Sequence, residues 1–466
     1  MSRISKRLFP WLVAIAVPMV IYANSGANAA VPAPPMKRTG AQVDGGLACT
    51  ACHATNPVNS GGGRVFISTA AYRPGIRQDV TLTVEDPNAL RRGFQITARL
   101  KSNESKTAGF FSTSPEVQVR CDDGTVRGRP GPCSGQLEFA SHTAAGTRAG
   151  TAGTQTYTLS WTPPGRDMGP VVFFFAGNAA NNNGANTGDQ IYTGSQEIAS
   201  AGCNLTGTPS INANGVSDAA SFRTALSPNA MMSVFGSTLL PAGTSYSATR
   251  LDLVPSSGDP NVGVVPPDLA CLAVEVNGKR GVVYFANENQ INAQAPIDFS
   301  TGNVNVVLIA NPGTANEKRS AVRQVMMQSY TPSFYTFPGN SVAALNASDG
   351  YKFVADPAQV PGAVPAKPGD VVVFYGTGFG LTNPVYQTGE FSSGPATITG
   401  QYSILLGGTT LSNTQDVFYA GLSPDAPGFF QFNVRIPAST PDGNIPVKIQ
   451  MGSFETQNGI TIPVKR

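Results

Sequence analysis

The chain is predicted to be all-β, with three β-sandwich domains following a signal peptide, and three observations carry that expectation. Only 13% of its 466 residues are charged while Gly (51) and Pro (37) are abundant, a composition that suits short strands joined by tight turns better than charged helices. Apolar and polar residues alternate in short runs, most plainly in Val80-Thr81-Leu82-Thr83-Val84, which puts one apolar and one hydroxylated face on a half-buried strand. The second half of the chain repeats itself at a spacing of about 140 residues. A chain of this length is too long for one core, and three sandwich-sized domains fit it.

Residues 1–29 read as a signal peptide. Arg3, Lys6 and Arg7 precede an apolar run from Leu8 to Tyr22, and Ala27-Asn28-Ala29 offers a small-x-small cleavage site. The apolar run is short for a membrane span, so cleavage after Ala29 and export to the periplasm, cell surface or exterior are expected. This segment holds three basic residues and no acidic one, so its removal takes the net charge from +3 to 0. A neutral chain offers no basic patch for nucleic acid or anionic lipid. No other stretch approaches membrane-spanning length, so no transmembrane segment is expected in the mature chain.

Residues 30–63 read as a mobile leader, proline-rich at Val31-Pro32-Ala33-Pro34-Pro35 and flexible at Gly61-Gly62-Gly63. Within it lies Cys49-Thr50-Ala51-Cys52-His53. C-x-x-C-H is the spacing that attaches haem c: two thiols three residues apart form thioethers to the two vinyl groups, and the adjacent imidazole reaches the iron. With six cysteines and two histidines in the chain, an accidental match is expected only about 0.0003 times. Two other uses of the same residues stay open. Cys49 and Cys52 can form a disulfide in an oxidising compartment, or Cys49, Cys52, His53 and His142 can complete a zinc site. A thioredoxin-type use is disfavoured, because no βαβ pattern surrounds the motif.

Residues 64–200 form the first predicted sandwich, with strand-like runs at Arg64 to Thr69, Asp79 to Val84, Gly93 to Leu100, Gln155 to Trp161 and Val171 to Ala176. His142 is the one histidine besides His53, so it is the candidate second iron ligand, with Met168 or Met36 as the methionine alternative. Its other reading is a histidine hydrogen-bonded inside the sandwich. Cys121 and Cys133 are expected to close a short loop as a disulfide. The oxygen-rich run Asn181 to Asp189 has too little negative charge for a calcium loop and reads as a long turn.

Several segments here, Tyr72-Arg73-Pro74-Gly75, Gly93 to Ala98, Ser141-His142-Thr143, Trp161-Thr162-Pro163-Pro164 and Gly169 to Asn178, are similar to the bacterial Reelin-like domain, often called choice-of-anchor V. That family commonly opens with a C-x-x-C-H segment and includes an Asn/Gly/Asp loop. The resemblance covers about residues 45 to 200 and implies a β-sandwich. It also implies a structural role for His142, since Reelin-like domains without the cysteine motif carry a similar histidine.

Residues 208–330 and 331–466 form the repeat. Pro228 to Ser237 aligns with Pro368 to Thr377 at an offset of 140, and Gln290 to Pro296 with Gln431 to Pro437 at 141. Gly302 to Val306 aligns with Gly443 to Val447, also at 141. Each copy reads as an immunoglobulin-like sandwich. Gln290, Asn292, Gln431 and Asn433 are candidates for sugar binding, but such residues at strand ends more commonly fix turns and hydrogen bonds. Cys203 and Cys271 remain as a further disulfide pair. Val216 to Phe222, Val276-Asn277-Gly278, Phe374 to Gly378 and Tyr419 to Leu422 resemble the tandem Ig-like C-terminal domain of large bacterial secreted proteins, a family without known catalytic residues.

No histidine lies in this half and no paired-carboxylate or nucleophile constellation stands out, so no catalytic residue is assigned. The expected function is electron transfer by one covalent haem c, with a redox partner or surface component at the other end. The alternative is a non-redox adhesion or scaffold protein in which Cys49 and Cys52 form a disulfide.

Overall fold

The structure, a computed structural model, describes residues 34–124, 126, 127, 133, 136–250, 252–256, 263–424 and 426–466. The predicted signal peptide lies outside them. Among the described residues the secondary structure is strand with a few single 3-10 turns, and no helix is long and apolar enough to cross a membrane. The chain divides into two compact units. One holds residues 34–205 with Thr244–Asp252, and the other holds Thr206–Gly243 with Leu253–Arg466.

The first unit is a sandwich of two sheets. Its strands are β1 (Arg64–Ser68), β2 (Gln78–Glu85), β3 (Arg91–Leu100), β4 (Asn103–Thr107), β5 (Phe110–Phe111), β6 (Val117–Cys121), β7 (Val126–Arg127), β8 (Glu138–His142), β9 (Gln155–Thr162), β10 (Val171–Ala180) and β11 (Gln190–Ile198). One sheet runs β1-β2-β9-β5 and the other β11-β10-β3-β8-β6-β7, with β4 added to β3. Each of the five strand runs expected from the sequence is a strand here, within a few residues at either end. The alternation in β2 does what it promised, burying Val80, Leu82 and Val84 between the sheets. At the centre Trp161 meets Phe173 edge to face at 5.0 Å and Tyr72 at 6.0 Å, and its indole N–H donates to the Ala108 carbonyl at 3.0 Å.

Strand β3 is buried on both faces. Phe94, Ile96, Ala98 and Leu100 enter the core, yet Gln95, Thr97 and Arg99 on the opposite face are buried too. What covers that face is the leader, which is docked where mobility was expected. Gln95 acts as a clasp: its amide nitrogen donates to the Pro35 carbonyl at 3.0 Å and its oxygen accepts from the Arg38 amide at 2.6 Å. Arg99 forms an ion pair with Asp44 at 2.5 Å, with the two side chains 0% and 5% exposed. Removing either partner would strand a buried charge at a cost of about 3–5 kcal/mol.

The leader folds back on itself through Gly40 N donating to the Leu47 carbonyl, and Thr39, Ala41 and Ala48 are buried. Farther on, Asn59 N donates to the Ile191 carbonyl, and Gly63 N donates to the Tyr192 hydroxyl at 2.9 Å. The triple glycine is therefore a close-packed crossing. A Cβ at Gly61 would overlap the Tyr192 hydroxyl, and one at Gly63 would overlap the Glu85 carbonyl.

The second unit carries the repeat down to its register. Met231–Ser237 pairs with Gln290–Gln294 so that Met232 faces Ala293 and Ser233 faces Asn292. Val371–Thr377 pairs with Phe430–Arg435 so that Val372 faces Val434 and Val373 faces Asn433. The next neighbours, Val282–Asn287 and Val417–Leu422, each break register once against these strands, between Val283 and Phe285 in one and between Val417 and Tyr419 in the other. Buried polar contacts join the copies: Met231 N donates to Thr377 Oγ1 at 2.8 Å, and Gly389 N donates to Gln294 Oε1 at 2.8 Å. Cys121 and Cys133 are bridged, with Cα atoms 5.4 Å apart, and Cys203 and Cys271 are also disulfide-bonded.

Candidate functional site

The C-x-x-C-H segment sits on the loop between β10 and β11. Cys49–Ala51 is a single 3-10 turn, and the amides of Cys52 and His53 both donate to the Cys49 carbonyl, at 3.1 and 3.0 Å. Residues 49, 52 and 53 are thereby wound on one turn. The loop holds the turn through side chains that span more than 130 residues of sequence. Asn186 donates to the Cys52 carbonyl at 2.6 Å, Asn56 donates to the Asp189 carbonyl at 2.9 Å, and Gly188 N donates to Thr55 Oγ1 at 3.1 Å.

His53 Nδ1 lies 2.6 Å from Asp189 Oδ2, whose side chain is 1% exposed. A carboxylate only accepts, so Nδ1 carries the proton and Nε2 is the nitrogen left with a lone pair. Asp189 is itself set in place by the Asn181 amide, which donates to its Oδ1 at 3.1 Å. The amide nitrogen of Asn178, opposite Gly93 in the sheet, lies 3.3 Å from the same Nδ1, a contact between two donors and not a hydrogen bond. Sequence reading missed Asp189 as the partner. Asp189 is the sole acid in an Asn- and Gly-rich turn, a signal visible in the sequence that gained meaning only once the leader was seen to dock there.

Cys49 and Cys52 are free thiols, so the alternative disulfide between them is not what the structure holds. Cys52 is exposed. Cys49 is half-buried with its sulfur 3.9 Å from the Arg38 carbonyl, and burial pushes its thiol up to about 12. Among the described residues no three His, Cys, Asp or Glu side chains gather where they could hold a metal ion, so the four residues weighed for zinc are not brought together. The Asn181–Asp189 run is indeed a long turn. Asn183 and Asn181 spend their side chains on the Thr187 carbonyl.

His142 serves elsewhere in the sheet. Its Nδ1 stands 2.9 Å from the Phe94 amide and 3.1 Å from the Phe94 carbonyl, in the place of a ladder partner where β8 leaves β3. Burial holds it below the usual histidine range, and the nearby positive charge of Arg91 works in the same direction. Ligation by His142 would fall to its Nε2. Met168 packs against the sandwich core with its amide bonded to the Tyr72 hydroxyl at 3.1 Å. The Met36 carbonyl accepts from Arg38 at 3.3 Å.

In the repeats, Gln290 donates to Asn292 at 2.7 Å and Gln431 to Asn433 at 3.3 Å. Ser233 and Ser423 bond the same pairs. These side chains fix strands to one another, the structural use weighed for them from sequence.

No family model matches the chain, and no curated protein matches it, so the resemblances drawn from its motifs have no counterpart at the level of whole-sequence comparison. Among solved structures, the human F-spondin reeler domain is similar over 32% of this chain and 95% of its own length, with 16% identity and a TM-score of 0.21. The Reelin-N domain of F-spondin gives 17% identity over 32% of this chain and 96% of that one, also at 0.21. The extracellular region of plexin A4 is similar over 86% of this chain and 34% of its own, with 9% identity and a TM-score of 0.18. These likenesses are too slight to carry a functional assignment.

Proposed function

We propose that the chain is an exported β-sandwich protein carrying one haem c for electron transfer, attached through Cys49 and Cys52 and ligated by His53, with a redox protein or surface component as its partner. The observation that carries this reading is the His53–Asp189 hydrogen bond at 2.6 Å, which fixes the imidazole and leaves Nε2 as its free donor. The turn that collects the Cys52 and His53 amides on the Cys49 carbonyl gathers the three residues that would hold the group. The disulfides support an oxidising compartment. When bound, the group would supply a one-electron couple. The chain's own residues hold it at Cys49 and Cys52, orient it through His53 and Asp189, and brace the turn through Asn186. We assign His142 to the fold, where its Nδ1 meets the Phe94 backbone in the place of a ladder partner.

The test is expression of the mature chain with haem-attachment machinery, followed by the spectrum of the reduced protein. A c-type α-band is expected, retained in His142→Ala and altered in His53→Ala. A wild-type protein with no such band would overturn the reading and leave the adhesion or scaffold protein in its place.

A further inference from the structure

We infer that Asp189 is a positioning residue that tunes the iron through His53, biasing the site toward its oxidised state so that the protein passes electrons onward from a low-potential donor. This rests on the haem reading above. The hydrogen bond from Nδ1 ends on a full negative charge, where a backbone carbonyl or water would offer only a partial one. A ligand imidazole whose other nitrogen donates to a carboxylate is a stronger electron donor, and it stabilises the more positive iron. The carboxylate is almost fully buried, so water does little to dilute its effect. Its position is held from three sides, by Asn181 N on Oδ1, by Asn56 on its carbonyl, and by β11, which begins at the next residue.

The decisive variant is Asp189→Asn, which keeps the shape and an accepting oxygen but removes the charge. In the loaded protein its midpoint potential should rise above wild type, and the iron–histidine stretching frequency should fall. In the haem-free chain the Nδ1-bound proton of His53, seen by NMR in slow exchange in the wild type, should move upfield in the variant. Asp122→Asn removes an equal charge that pairs with Lys37 of the leader and touches neither His53 nor Asp189, so its potential should stay at the wild-type value. A loaded Asp189→Asn protein with an unchanged potential, or a rise matched by Asp122→Asn, would overturn the inference. Failure of the wild type to take up haem at all would instead refute the reading beneath it.

Discussion

The surroundings of the two histidines can be compared directly, since both lie in the first unit and both commit Nδ1. His142 gives its nitrogen to the Phe94 backbone and completes a seam between β3 and β8. His53 gives its nitrogen to a buried carboxylate, from a segment laid onto the sandwich and pinned by an Asn-rich loop. A histidine that replaces a ladder partner serves the sheet. One braced by side chains alone, beside two free thiols, is arranged to present its remaining nitrogen. Burial alone does not separate the two uses; the partner does.

The sharpest way to break this comparison is to undock the leader that carries His53. Asp44→Ala leaves Arg99 charged and buried, and should destabilise the docked first unit by about 3–5 kcal/mol in denaturant unfolding. Asp122→Ala, which removes the half-buried partner of Lys37 on the same leader, should cost about 0–1 kcal/mol. Equal losses would mean that the buried pair does not anchor the segment.

The histidines themselves come next. His142→Ala orphans the Phe94 amide, for an expected loss of about 1–3 kcal/mol, whereas His53→Ala leaves the buried Asp189 carboxylate without its partner and should cost at least as much. Since burial depresses His142, the neutral ring belongs to the folded state. Its contribution is present above about pH 6.5, the unfolded value, and is lost as pH falls through the lower folded one. A wild-type melting temperature that falls between pH 7 and 5 more than that of His142→Ala would bear this out, and parallel curves would not.

Gly61 and Gly62 sharpen the account of the crossing. Gly61→Ala must displace Tyr192, at about 1–3 kcal/mol, while a Cβ at Gly62 meets nothing within 4 Å and should cost less than about 0.5 kcal/mol. Thermal melts of the two variants decide it. The smallest effect concerns Cys49. In the haem-free chain at pH 8 a thiol reagent should label exposed Cys52 first, because burial pushes the Cys49 thiol up to about 12. The same shift favours the protonated thiol in the fold, so docking loses stability as pH climbs from about 9, the ordinary thiol value, toward 12. Equal labelling of both cysteines would show that the leader does not stay down.

Much of the fold was legible in short-range pattern. The alternation of β2 and the 140-residue repeat named the strands, and both depend only on neighbours in sequence or on self-similarity. The docking of the leader was not legible. Arg99 and Asp44 stand 55 residues apart, and Asn186 and Cys52 stand 134 apart, so nothing local marks them as partners. Gly61-Gly62-Gly63 misled for a related reason: glycine marks flexibility and close approach alike, and only the presence of Tyr192 distinguishes them. Of the candidate site, the cysteines and His53 were readable from spacing, while Asp189 looked like part of a turn until the fold brought His53 onto it.

The central claim is that Cys49 and Cys52 hold haem, and the intact mass of the mature protein made with haem-attachment machinery tests it most directly. The account predicts a mass heavier than the polypeptide by one haem, lost when both cysteines are replaced by serine. A mass equal to that of the polypeptide alone, with Cys49 and Cys52 still able to take up a thiol reagent after unfolding, would contradict it.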